Sequence, residues 1–299
     1  MGETIMNKND ERSPERWIRP GQTDFCPGCG YGTILNYLAR ALEKTGADPS
    51  LTVAVGGIGC AAWIPDQYMQ THTLHTTHGR PIAFATGVKL AKPELNVLVI
   101  SGDGDLATIG TSHLIHAARR DLDITVFCVN NFVYGMTGGQ AGGTTPTGAV
   151  TSTSPAGHAE KPLDLISLVL AAGGRVRTEA EGGAEGLNAS VESDMLIASG
   201  RFAAREIVLT RQPQRVISTC EKALAHQGFS FVELIAPCAT HFNRKNRIYS
   251  VTDLKAYLNA NYISASKATK TPLTDRAGKQ LCGLFKSKEE YERLVGGAI

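Results

Sequence analysis

The 299-residue chain has no apolar run near the roughly 20 residues that a membrane helix needs. Its first twenty residues are polar and charged and lack the apolar stretch of a secretory signal, so a cytoplasmic location is expected. A surplus of one charge is also lacking: 30 Lys and Arg against 28 Asp and Glu leave a formal +2, too little to favour nucleic acid as a partner. A composition with 42% hydrophobic and 19% charged residues suits a soluble globular protein with a packed core. Neither an internal repeat nor a second domain boundary is visible, and the length allows one large α/β domain. The cysteines number seven. In a reducing compartment an odd set of this kind is no disulfide framework and points to metal or redox roles for some of them.

The most informative stretch runs from residue 97 to 140. Val97 to Ile100 and Ile124 to Val129 are short apolar runs bounded by turn residues, the pattern of strands covered on both faces. The segment between them has the length of a crossover helix, so the unit reads as strand, helix, parallel strand. Ligands in such sheets sit beyond the carboxyl ends of the strands. There lie Gly102-Asp103-Gly104-Asp105 and Asn130-Asn131. A carboxylate from Asp103 and an amide oxygen from Asn131 are hard ligands suited to Mg²⁺, which completes its shell with phosphate oxygens and water. The glycines let backbone N–H groups approach a phosphate, and a helix start after Asp105 would add its positive end. Alone, each motif also reads as a strand-end turn or a helix cap.

Cys26-Pro27-Gly28-Cys29 precedes a helix expected at about 33–44. A Cys-x-x-Cys there has three readings: a redox pair, half of a zinc site, or part of a cluster site. Cys60 ends a glycine loop after the buried strand Leu51 to Val55, with room for a cofactor, and Cys238 follows the strand expected at 229–235. Four thiolates at Cys26, Cys29, Cys60 and Cys238 suffice for a [4Fe–4S] site, whereas a Cys₄ zinc site more often pairs two Cys-x-x-Cys motifs. Cys128 and Cys220 read as buried core thiols, and Cys282 receives no role. His72, His75 and His78 stand three apart without an acidic neighbour in sequence, and the segment reads as a polar loop over a site.

Taken together, GDGD, the later Asn pair, Tyr134 to Gln140, CPGC, GIGC and the late Pro237-Cys238 resemble the beta subunits of 2-oxoacid:ferredoxin oxidoreductases, from about residue 24 to 246. The resemblance implies a thiamine diphosphate-binding α/β domain whose mainly parallel sheet carries helices on both faces. It implies Mg²⁺ held by Asp103, Asn131 and the carbonyl of Val133, and one [4Fe–4S] cluster on Cys26, Cys29, Cys60 and Cys238. Cofactor contacts would come from Ile58, Gly59, Cys60, Ala61, His78, Gly79, Arg80, Gly104, Asp105, Gly135 and Met136. The family reaction oxidatively decarboxylates a 2-oxoacid with coenzyme A and reduces ferredoxin. Thr76-Thr77 before His78, and Phe84 to Gly87, look most like the 2-oxoglutarate branch, which yields succinyl-CoA and CO2. Trp63 stands where other branches carry Lys. Pyruvate or another 2-oxoacid is the alternative substrate, and a zinc-stapled non-catalytic binding module is the alternative outside the class.

No Glu has a fitting context for activating thiamine, so the resemblance implies that a partner alpha subunit supplies it and that this chain is active only with that partner. The remaining expectations concern boundaries. Residues 1–20 read as a loose arm, 21–250 as the cofactor domain, 135–153 as a covering loop, 178–201 as an insertion and 251–299 as a C-terminal tail, closed by a short helix at 288–295. His241, Arg244, Lys245 and Arg247 form a basic patch that reads as a solvated face or as docking for an acidic electron carrier.

Overall fold

The computed structural model describes residues 13–172, 201–209 and 212–296. The chain runs α1 (Tyr31–Thr45), β1 (Thr52–Gly56), β2 (His72–His75), α2 (Pro81–Ala91), β3 (Asn96–Gly102), α3 (Thr111–Arg119) and β4 (Thr125–Asn130). A small antiparallel pair β5 (Val133–Tyr134) and β6 (Gln140–Ala141) follows, then α4 (Leu165–Ala171), β7 (Phe202–Ile207), α5 (Pro213–Ala225) and β8 (Ser230–Ile235). The C-terminal part adds α6 (Val251–Asn261), β9 (Tyr262–Ser264), α7 (Ala265–Ala268), α8 (Leu273–Arg276), β10 (Gln280–Phe285) and α9 (Lys288–Val295).

Eight strands form one sheet in the order β2-β1-β3-β4-β8-β7-β10-β9. Every pairing is parallel except that of β10 with β7. Alternation along each strand splits the core in two. Leu98, Ile100, Phe127, Val129, Val232 and Leu234 face α1 and α5, whereas Val97, Val99, Val126, Cys128 and Phe231 face α2, α3 and α4. Both faces are thus covered by helices, which is why the strands read as continuous apolar runs. Cys128 and Cys220 are fully buried in these two layers, as core thiols. Among the described residues no helix is long and apolar enough to cross a membrane.

Two boundary expectations change. Within the expected loose arm, Pro14–Trp17 forms a 3₁₀ turn, and Trp17 is fully buried with its indole N–H donating to Glu43 at 3.0 Å. Arg16 pairs with the same carboxylate at 2.7 Å, so apolar burial and an ion pair both dock the segment on α1. The expected tail is also packed: β10 extends the sheet against β7, and Tyr291 and Leu294 of α9 join the core. The expected insertion at 178–201 lies outside the described residues except for Arg201.

Trp17→Ala is expected to lower the free energy of unfolding by about 3–5 kcal/mol in chemical denaturation. A loss under about 1 kcal/mol would return residues 13–20 to the status of a loose arm.

Candidate functional site

From β1 the chain crosses to β2 on one side and then returns to place β3 on the other, so β1 and β3 flank a topological switch point. The loops after these two strands and the turn after β4 enclose a cavity. Ile58 to Ala61 come from the first loop, Gly102 to Asp105 from the second, and Asn131 with Val133 to Thr137 from the third; His78 and Tyr31 complete the wall. Gly59 has φ +118 and would place a side chain in open space, a backbone that only glycine adopts freely and that leaves room at the cavity.

Asp103 is 1% exposed. Its carboxylate accepts hydrogen bonds from the Asn131 N–H at 3.2 Å and from the Thr144 hydroxyl. Burial pushes its pKa up to about 6 against the pull of these hydrogen bonds, and among the described residues no cationic side chain offsets that burial. A buried carboxylate without a compensating cation suits a metal ion. Asn131 is held by its own neighbours: its Nδ2 donates to the Tyr31 hydroxyl at 2.6 Å, and its Oδ1 accepts from the Val133 N–H at 3.0 Å. One Asp, one Asn oxygen and one carbonyl form a donor set that fits Mg²⁺ with room for phosphate and water.

Asp105 is occupied differently. Its carboxylate accepts from the N–H groups of Gly79 at 2.7 Å and Ile58 at 3.3 Å, from the Ser101 hydroxyl at 2.8 Å, and meets His78 Nδ1 at 2.5 Å. It therefore ties the ends of β1, β2 and β3 together, and its side chain is not free for a phosphate. The winding expected after Asp105 begins at Gly104 as a wide turn closed by Gly110 N–H to Asp105 C=O at 3.0 Å, and α3 starts only after Gly110.

The four predicted cysteines come into mutual range. Burial pushes the Cys29 thiol up to about 12, and the nearby Cys238, Cys60 and Cys26 add to the shift. Cys60 is raised by burial and then by Cys238 and Cys26. A side chain at Gly135 would stand 3.5 Å from both Cys238 Sγ and Asn131 Nδ2, so these two atoms are separated by at most twice that distance. Among the described residues no group of three or more His, Cys, Asp or Glu side chains forms a site for a metal ion. A four-iron cluster asks for one thiolate per iron, a wider arrangement than four sulfurs on one ion. Tyr31 is close to both groups of residues: besides its bond with Asn131, burial raises its pKa well above 10, and Cys29, Asp103 and Cys60 raise it further.

Residues 57–203 match the family described as thiamine pyrophosphate enzyme, C-terminal TPP binding domain. The 2-oxoglutarate synthase subunit KorB of Methanothermobacter marburgensis is 42% identical over 87% of this chain and 81% of its own length. That of Methanocaldococcus jannaschii is 38% identical over 90% of this chain and 88% of its own. The chain belongs to the beta-subunit family of the 2-oxoacid:ferredoxin oxidoreductases, in its 2-oxoglutarate branch. In fold it is similar to a solved 2-oxoglutarate:ferredoxin oxidoreductase from Magnetococcus marinus, whose structure holds 2-oxoglutarate, coenzyme A and succinyl-CoA; the TM-score is 0.72 at 24% identity, over 98% of this chain and 94% of that one.

Against the residues that the family pattern implies, Ile58, Gly59, Cys60, Ala61, His78, Asp103, Gly104, Asp105, Asn131, Val133, Gly135 and Met136 line the cavity. Gly79 reaches it only through Asp105. Arg80 does not line it: its side chain is exposed at the start of α2 and donates to the Gly79 carbonyl at 3.1 Å. His78 has an acidic partner after all in Asp105, and His75 has one in Asp66 at 3.6 Å, both brought in from other loops. Tyr31 and Thr144 went unread, because Tyr31 also fits the apolar stripe of α1 and Thr144 sits in a loop of uniform Gly and Thr. The covering loop at 135–153 is anchored on the site by Thr144 and by Thr145, whose hydroxyl donates to the Phe132 carbonyl at 2.5 Å.

With a folded pKa of about 6 against an ordinary 3.8, Asp103 holds its proton more tightly in the folded chain. The stability that this proton contributes is present below about pH 4 and is lost as pH rises through about 6, on the order of 2–3 kcal/mol. Without added Mg²⁺, Asp103→Asn is expected to be more stable than the wild type at pH 7.5 and equal to it below about pH 4 in denaturant titrations. Equal stability at both pH values would overturn the account of Asp103.

Proposed function

We propose that this chain is the cofactor-holding beta subunit of a 2-oxoglutarate:ferredoxin oxidoreductase, which converts 2-oxoglutarate and coenzyme A to succinyl-CoA and CO2 while reducing ferredoxin. The observation that carries the reading is the buried Asp103, which shares one cavity wall with Asn131 and Val133, with the four cysteines in mutual range nearby. Asp103, Asn131 Oδ1 and the Val133 carbonyl would hold Mg²⁺, and Cys26, Cys29, Cys60 and Cys238 would each take one iron of a [4Fe–4S] cluster. Thiamine diphosphate, when bound, supplies the carbon centre on which a 2-oxoacid loses CO2, and the cluster takes up single electrons.

The chain's own residues provide position and electrostatics. Deprotonated Asp103 neutralises part of the metal's charge and, through Asn131 N–H, fixes the turn that carries the second ligand. The open backbone at Gly59 would leave the cofactor room beside Cys60, and buried Tyr31 would keep water from the Asn131 amide. Arg244, Lys245 and Arg247 are exposed just past Cys238 and offer a positive face to an acidic ferredoxin. Among the described residues no glutamate lines the cavity: Glu233 pairs with Arg205, and Glu206 pairs with Arg215. As the family resemblance implies, the activating carboxylate is assigned to an alpha subunit, and the isolated chain should be inactive.

Iron, sulfide and thiamine analysis of the chain purified with its partner tests the assignment. Asp103→Ala is expected to lose thiamine diphosphate while keeping iron, sulfide and the visible absorbance. Stoichiometric zinc in a colourless protein, or thiamine diphosphate retained by the variant, would reject it.

A further inference from the structure

Two charged residues occupy strands whose faces are both covered: Arg205 on β7 is 0% exposed and Glu233 on β8 is 1% exposed. Arg205 Nε donates to Glu233 Oε2 at 2.6 Å, its second nitrogen donates to Asp164 at 2.7 Å, and its third donates to the Leu281 carbonyl of β10 at 3.1 Å. The other oxygen of Asp164 accepts from the Tyr291 hydroxyl of α9 at 2.5 Å. Burial alone would weaken the hold of Arg205 on its proton, but Glu233 and Asp164 outweigh it and keep the guanidinium charged.

The network does not end at Glu233. Its Oε1 accepts from Asn130 Nδ2 at 2.7 Å. That bond decides which way the Asn130 amide faces, because with Nδ2 turned to Glu233 its Oδ1 must point back, where it accepts from the Phe132 N–H at 3.1 Å. Phe132 has φ +72, a left-handed backbone that costs a bulky residue on the order of 1–3 kcal/mol and persists only where its surroundings impose it. It stands between Asn131 and Val133, so its conformation sets whether the Asn131 side chain and the Val133 carbonyl reach the same point.

We infer that Arg205, with Asp164 and Tyr291, is a positioning group for the metal-holding turn, so that β10 and α9 fix the geometry at Asn131 and Val133 through one continuous chain of hydrogen bonds. The inference rests on the role proposed above for those two residues. Stability alone would not call for such a network, since well-packed apolar residues commonly replace buried ion pairs at no loss. What they cannot replace is direction: each bond here is donated along a fixed line, and reversing the Asn130 amide would set its NH₂ against the Phe132 N–H.

The test uses the complex with its partner subunit and two variants. Arg205→Lys keeps the charge but loses the planar fork, and Tyr291→Phe removes one hydroxyl. Calorimetry at saturating Mg²⁺ reads thiamine diphosphate affinity, and amide exchange of the cofactor-free protein reads residues 131–134. Loss of a charge-assisted hydrogen bond predicts affinity weakened about tenfold in Arg205→Lys and about threefold in Tyr291→Phe, with matching faster exchange at 131–134. Exchange in α1 and the visible spectrum should stay at wild-type values. Wild-type exchange at 131–134 in a folded Arg205→Lys, or in Tyr291→Phe if the lysine variant does not fold, overturns the inference. Failure of the wild type itself to bind thiamine diphosphate would instead overturn the proposed function, and the exchange data would still decide the coupling.

Discussion

The buried carboxylate of Asp105 is the constraint on which the site depends. A carboxylate removed from water is costly unless its lone pairs are filled. Here Ile58, Gly79, Ser101 and His78 fill them from three different strand ends. The contact admits no side chain beside it: a Cβ at Gly57 would lie 1.8 Å from Asp105 Oδ2. The glycine loop that carries Cys60 and the turn that carries Asp103 are thereby locked at one spacing, whatever the loops beyond them do.

That arrangement gives two neighbouring carboxylates opposite duties. Asp105 is satisfied within the protein, while Asp103, two residues earlier, receives Asn131 N–H and the Thr144 hydroxyl and is left facing the cavity. The difference follows from the wide turn begun at Gly104, which swings the second carboxylate back under the loops and leaves the first at the strand end. One side chain builds the site and the other is held ready for a cation. Mutational effects at the two positions should therefore differ in kind, with Asp105 acting on the shape of three loops and Asp103 on the charge of one cavity.

Much of this was legible in the residues, and what was not shares a physical reason. The strands β1, β3, β4 and β8 and the helices α1 and α9 announce themselves because both faces of the sheet are buried and each of these helices has an apolar stripe. Strand β2, reading His-Thr-Leu-His, is a half-exposed edge and gives no apolar run, so it reads as loop. The apolar pattern of strand β10 is interrupted by Gly283 and preceded by a Ser, Thr and Lys-rich stretch, so a packed segment looks like a tail. Arg80 is chemically suited to a phosphate, but sequence carries no information on which way a helix-start side chain leaves the backbone. The charges at Arg205 and Glu233 were a readable signal of another kind: an ionisable residue in the middle of a doubly covered strand needs a partner, and each has the other.

The closeness of the cysteines to Asp103 and Asn131 bears on how the proposed site would be filled. Burial holds the Cys29 and Cys60 thiols in their neutral form, and each neighbouring sulfur adds to that shift. A cluster on the proposed cysteines would need these two as thiolates, so its insertion would release protons. Cys29, Asp103 and Cys60 all act on Tyr31, so charge at the carboxylate and at the sulfurs is felt by the same side chain. A [4Fe–4S] cluster on four thiolates would carry net negative charge, and a cation at Asp103 would offset part of it. Filling one site would therefore ease the electrostatic cost of filling the other.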